Sequence, residues 1–147
     1  QALQQGSGGK DTGPDAQQTR ERTDRLAIAA TLAAERELGR VPLEQPHSNP
    51  GYDILSRDPK DGREYFIEVK GHLPETDLIS ISATQVFRSK AAPEQWRLAL
   101  VKVPKYDGPE PIVHYLKEPF EGIHIDGLVA KIQVRASELE RRGREPN

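Results

Sequence analysis

Asp53, Glu68 and Lys70 are the residues whose types and spacing suggest chemistry. They lie in GYDI and, after twelve intervening residues, in IEVKG. Side chains alternate faces along an extended strand, so Phe66, Glu68 and Lys70 share one face while Tyr65, Ile67 and Val69 share the other. If the loop of the DPKDG turn is Pro59 to Gly62, the hairpin register sets Asp53 opposite Glu68, Ile54 opposite Ile67 and Leu55 opposite Phe66. Opposed carboxylates destabilise a strand pair unless a cation compensates them. Asp53, Glu68 and the Val69 carbonyl are the hard oxygen donors that Mg²⁺ or Mn²⁺ takes. A cation held there polarises a phosphate and acidifies bound water, while Lys70 orients the nucleophile and offsets developing negative charge. The expected chemistry is phosphodiester hydrolysis, and Glu35 on the preceding helix is a candidate further carboxylate.

Alternating Glu and Lys usually mark a solvated strand face. Here YFI, V and the partner run YDIL make both strands apolar on both faces, as in central strands. Charges on a sheet covered on both sides are costly unless paired or metal-bound. Glu35 has an ordinary alternative as a surface carboxylate paired at helical spacing. The four histidines lack metal-ligand spacing, and His72, two residues past Lys70, is the nearest to the cluster. Trp96 is expected in the core.

Positioning these residues requires a short set of elements. Thr19 to Leu38 is expected as a helix, with Leu26, Ala29, Ala30 and Ala33 on one stripe and Ile28, Leu32 and Glu35 on another; Gly39 and Pro42 then stop it. Strands are expected at Tyr52–Arg57, Glu64–Lys70, Leu78–Ser82, Trp96–Val103, Pro111–Leu116 and in KIQV. Ser82 or Thr84 is expected to cap a helix ending near Ala91, and a last helix starts at Ser137. The fold class is α/β, a central mixed sheet of about five strands flanked by helices. Residues 1–18 and 141–147 are expected as solvated tails around a domain spanning 19–140, because their composition cannot offset the entropy of ordering a backbone.

At 147 residues the chain suits one core. It contains no cysteine, which excludes disulfides and thiolate metal sites. The net charge of −2 means that any nucleic-acid surface must be a local basic patch. No apolar run or charged-then-apolar leader marks a membrane span or signal peptide, so a cytoplasmic location is expected. With no Met and a Gln at position 1, the chain is expected to be part of a longer protein.

GYDI followed by FIEVKG resembles the PD-(D/E)xK nuclease superfamily, Asp53 matching its first acid and Glu68-Val69-Lys70 its ExK. More narrowly, LAAERELGR, NPGYDILSRDP, REYFIEVKG, LALVKV and HYLKEPF resemble in order the C-terminal domain of NO VEIN-like proteins, over roughly residues 24 to 120. That resemblance implies a restriction-endonuclease-like fold, a DNA (or RNA) substrate, and a bacterial helicase/ATPase, including those of phage-defence systems, as the attached partner. The family usually carries Asn-Glu where this chain has Thr84-Gln85. In other branches a glutamine on this helix supports the site, which is the role the resemblance implies for Gln85. Three functions follow: a Mg²⁺-dependent DNA endonuclease carried by Asp53, Glu68 and Lys70, a catalytically inactive nucleic-acid-binding or protein-docking module of the same fold, and an interaction protein whose acid pair is coincidental.

Overall fold

The computed structural model describes residues 13–49 and 51–147, so the tail expected over residues 1–12 lies outside the described residues. Helix α1 (Pro14–Glu37) starts five residues before the expected Thr19, with Pro at its first turn, where a missing N–H costs no helical bond. Its buried stripe is Thr23, Ala27, Thr31 and Glu35, so both expected stripes are displaced. Small residues at four-residue spacing let the helix approach the sheet closely. The Thr23 and Thr31 hydroxyls donate to the carbonyls of Thr19 and Ala27, both at 2.8 Å, so they are buried without an unmet donor.

Strands β1 (Val41–Glu44), β2 (Ile54–Arg57), β3 (Glu64–His72), β5 (Trp96–Lys102) and β6 (Ile112–Leu116) form one mixed sheet in the order β1-β2-β3-β5-β6. The β3–β5 pair is parallel and the other pairs are antiparallel. The β2–β3 register pairs Ile54 with Ile67 and Leu55 with Phe66. Asp58 N–H donates to Arg63 O at 2.8 Å, leaving Pro59 to Gly62 as the loop. Gly62 takes a positive φ of 76°, which the turn requires and a side chain resists. β1 was not anticipated, Pro42 having been read only as a helix stop. Proline is tolerated at a sheet edge, and β1 is one.

Strand β4 (Leu78–Ser82) lies outside the main sheet. It pairs with β7 (Lys131–Arg135) in a second, two-stranded sheet. Helices α2 (Ala83–Ala91) and α3 (Ala136–Arg142) complete the fold. One core cluster joins β4, α2, α3 and β5 through Ile81, Val86, Leu98, Leu100 and Leu139, with Trp96 at its heart. The clusters on the other face join α1 to the sheet through Ala27, Ile67, Ala99 and Val101. The alternation along β5 sends Leu98 and Leu100 to one core, Ala99 and Val101 to the other. The segment expected to fray beyond Glu140 instead continues as helix to Arg142, and Arg144 pairs with Tyr115 on the edge strand β6. No described helix is long and apolar enough to cross a membrane.

Candidate active site

The site forms where β2 parts from β3. Regular pairing ends at Ile54 opposite Ile67. One residue earlier, the Asp53 amide donates to Ile67 O at 2.8 Å, and the Asp53 carbonyl accepts from Gln45 N–H at 2.8 Å. The Asp53 side chain then stands in for the missing strand, its Oδ2 accepting from Val69 N–H at 2.8 Å. Within an extended strand the N–H and C=O of one residue point to the same edge. The Val69 carbonyl therefore faces the gap that β2 has vacated.

Glu68 is 6% exposed. Its Oε2 accepts from Gln85 Nε2 at 2.8 Å and lies 3.4 Å from Lys70 Nζ. Burial, then the charge of Asp53, pushes the Glu68 carboxyl up to about 7, against the opposing pull of Lys70. Asp53 and Glu68 line the same cleft, close enough for the Asp53 charge to act on the Glu68 carboxyl. Gln85 is held by a reciprocal capping box. Ser82 Oγ accepts from Gln85 N–H at 3.1 Å, and Gln85 Oε1 accepts from Ser82 N–H at 3.0 Å. With Oε1 committed, the Gln85 amide nitrogen is directed at Glu68.

Asp53, Glu68, Val69 and Lys70 line a cleft of about 260 Å³ with Asp24, Glu44 and His47. Asp24, on α1, is raised above the usual carboxylate range by burial and then by Asp53, with Lys70 opposing. Glu35 is not part of this cleft. It is fully buried, paired with Arg40 at 3.2 Å and accepting from the Tyr115 hydroxyl at 2.6 Å. Asp24 precedes it by eleven residues, three helical turns or roughly 16 Å, on nearly the same stripe. That spacing was the available signal for Asp24, which the sequence reading missed together with His47 and Glu44. His72 is buried with Nδ1 2.9 Å from Leu73 O, and it does not line this cleft.

The donor set fits a divalent cation. The bonds to Val69 and Gln85 each occupy one carboxylate oxygen, leaving a second on Asp53 and on Glu68 beside the Val69 carbonyl. Among the described residues, no group of three or more His, Asp and Glu side chains is arranged to hold a metal. A site of two carboxylates and a carbonyl therefore suits an ion that retains several waters, as Mg²⁺ does, better than one requiring a closed cage. Lys70 is the cation already present, and its side chain is 22% exposed.

Residues 23–116 match the family model described as Protein NO VEIN, C-terminal. Among solved structures the chain is similar to Hjc, a Holliday junction resolvase of the archaeal hyperthermophile Archaeoglobus fulgidus. The identity is 13%, the match covers 84% of this chain and 91% of that one, and the TM-score is 0.53. At that identity the likeness is one of fold, and the fold is restriction-endonuclease-like. No match was found among curated proteins.

Proposed function

This chain belongs to the NO VEIN C-terminal family, and on that premise we propose that its Asp53–Glu68 cleft is the active site of a metal-dependent DNA endonuclease. The observation that carries this reading is that Asp53, Glu68, Val69 and Lys70 line one cleft where β2 leaves β3. Asp53, Glu68 and the Val69 carbonyl would hold Mg²⁺ or Mn²⁺. When bound, the cation supplies Lewis-acid polarisation of the phosphate and favours ionisation of the attacking water. Gln85 fixes the rotamer of Glu68, so the acid does not have to be ordered when substrate arrives. Lys70, partly exposed at the cleft wall, reaches toward a phosphate oxygen and offsets the charge that develops there. Asp24 closes the opposite wall from α1.

In this reading the domain is the nuclease arm of a larger ATP-driven DNA-remodelling or phage-defence protein, an association that rests on the family resemblance alone. A second reading is a module of the same fold that binds DNA without cutting it. Incubation with supercoiled plasmid and single-stranded DNA in Mg²⁺, Mn²⁺ or EDTA separates the two. Nicking that needs metal and disappears in Asp53→Ala and Lys70→Ala supports the endonuclease. DNA binding without cleavage by folded protein selects the module.

A further inference from the structure

Two grooves lead out of the cleft, both partly apolar, and they differ in charge. The one toward β4, about 310 Å³, is lined by Arg20, Lys70 and Ser80 with Leu73, Leu78 and Ile79, and shares Asp24, Lys70 and Gly71 with the cleft. The one toward β1, about 430 Å³, has an apolar floor of Ile28, Ala29 and Leu32 on α1. Three carboxylates, Glu21, Asp24 and Glu44, stand at its sides against one guanidinium, Arg25. It shares Asp24, Ile28, Glu44 and His47 with the cleft, so whatever occupies it is continuous with whatever reacts.

A phosphodiester carries one negative charge per nucleotide and is repelled by three carboxylates in a groove this small. A nucleobase carries none. Its planar faces suit an apolar floor, and its exocyclic amines are donors that carboxylates accept. Resting on the nuclease reading above, we propose that the β1-side groove binds the unstacked nucleobase next to the scissile phosphate, while the strand's phosphates leave through the β4-side groove. Extruding a base costs least where the strand is already unpaired. The site therefore prefers single-stranded or locally unpaired DNA to intact duplex.

The test scans 2-aminopurine, and in a parallel set an abasic residue, through a short single-stranded DNA bound to the whole chain with Ca²⁺ in place of Mg²⁺. Base emission and strand anisotropy are read together. One position should change emission on binding, and its abasic counterpart should lose affinity roughly tenfold, the scale of one buried side chain. Ala29→Trp, at an exposed helix position, fills the groove and should abolish that positional signal, whereas Ala29→Ser should keep it. Binding with the same emission at every position, or an unchanged signal in Ala29→Trp, overturns the base pocket and leaves the nuclease reading intact. Failure of folded wild-type protein to bind any strand overturns the base pocket, while the plasmid-nicking assay decides the nuclease reading separately.

Discussion

Gln85 Nε2 donates to Glu68 Oε2 at 2.8 Å, from a side chain whose other end already caps its own helix. Glu68 is thereby tied to the N-terminus of α2. Gln85→Ala removes the Glu68 contact and half of the capping box. It should cost about 1 kcal/mol in thermal unfolding and lower metal-dependent cleavage about tenfold, rescued in part by Gln85→Asn. Unchanged cleavage would mean that Glu68 does not depend on Gln85 for its position.

Stability should vary with pH through Glu68. Its folded value is raised from 4.5 to about 7, so the folded state favours the protonated acid. The associated stability is complete below 4.5 and is lost as pH rises through 7. The shift corresponds to about 3 kcal/mol. Urea titrations in EDTA between pH 4.5 and 8 should show this decline, and Glu68→Gln should flatten it.

Asp53→Asn keeps an acceptor for Val69 N–H and removes one of the two facing charges. In EDTA at pH 8 the variant should be more stable than wild type by about 1 kcal/mol. Wild type should gain thermal stability on adding millimolar Mn²⁺, because a ligand that binds only the folded state stabilises it. Asp53→Asn should not. If both proteins respond equally, the cation binds elsewhere.

The Glu35 cluster predicts the opposite division between stability and activity. Tyr115→Phe removes the 2.6 Å donor to a fully buried carboxylate and should cost about 1–3 kcal/mol. Burial, then Glu35, also hold the Tyr115 hydroxyl above the usual tyrosine range, so it stays protonated as the donor. Cleavage per folded molecule at low temperature should be unaffected. A selective loss of cleavage would return Glu35 to the site.

The sequence by itself made the hairpin legible, and with it the shared face of Glu68 and Lys70. DPKDG marked a turn and left its loop length conditional; with the four-residue loop that the structure shows, the register follows, and alternation places Glu68 and Lys70 together. The helix start was legible as Ser82 or Thr84, and the capping box with Gln85 selects Ser82. The pairing of Asp53 was legible only to within one residue, because its amide bonds Ile67 while its carboxylate replaces a strand partner for Val69.

Only the tertiary structure decided the rest. LISIS reads equally well as a strand of either sheet, since local pattern carries no information about which edge it finds; β7, some fifty residues later, supplies its partner. Glu35 and Asp24 lie three turns apart on nearly one stripe of one helix, and helical periodicity cannot distinguish them. The close approach of α1 at Gly71 does so: a Cβ there would stand 2.7 Å from the Ala27 side chain. That contact sets α1 against the end of β3, bringing Asp24 to the gap left by β2 and carrying Glu35 under Arg40 and Tyr115. Spacing along a chain specifies a face of a helix, whereas the position along its axis at which that face meets the sheet depends on packing between residues distant in sequence.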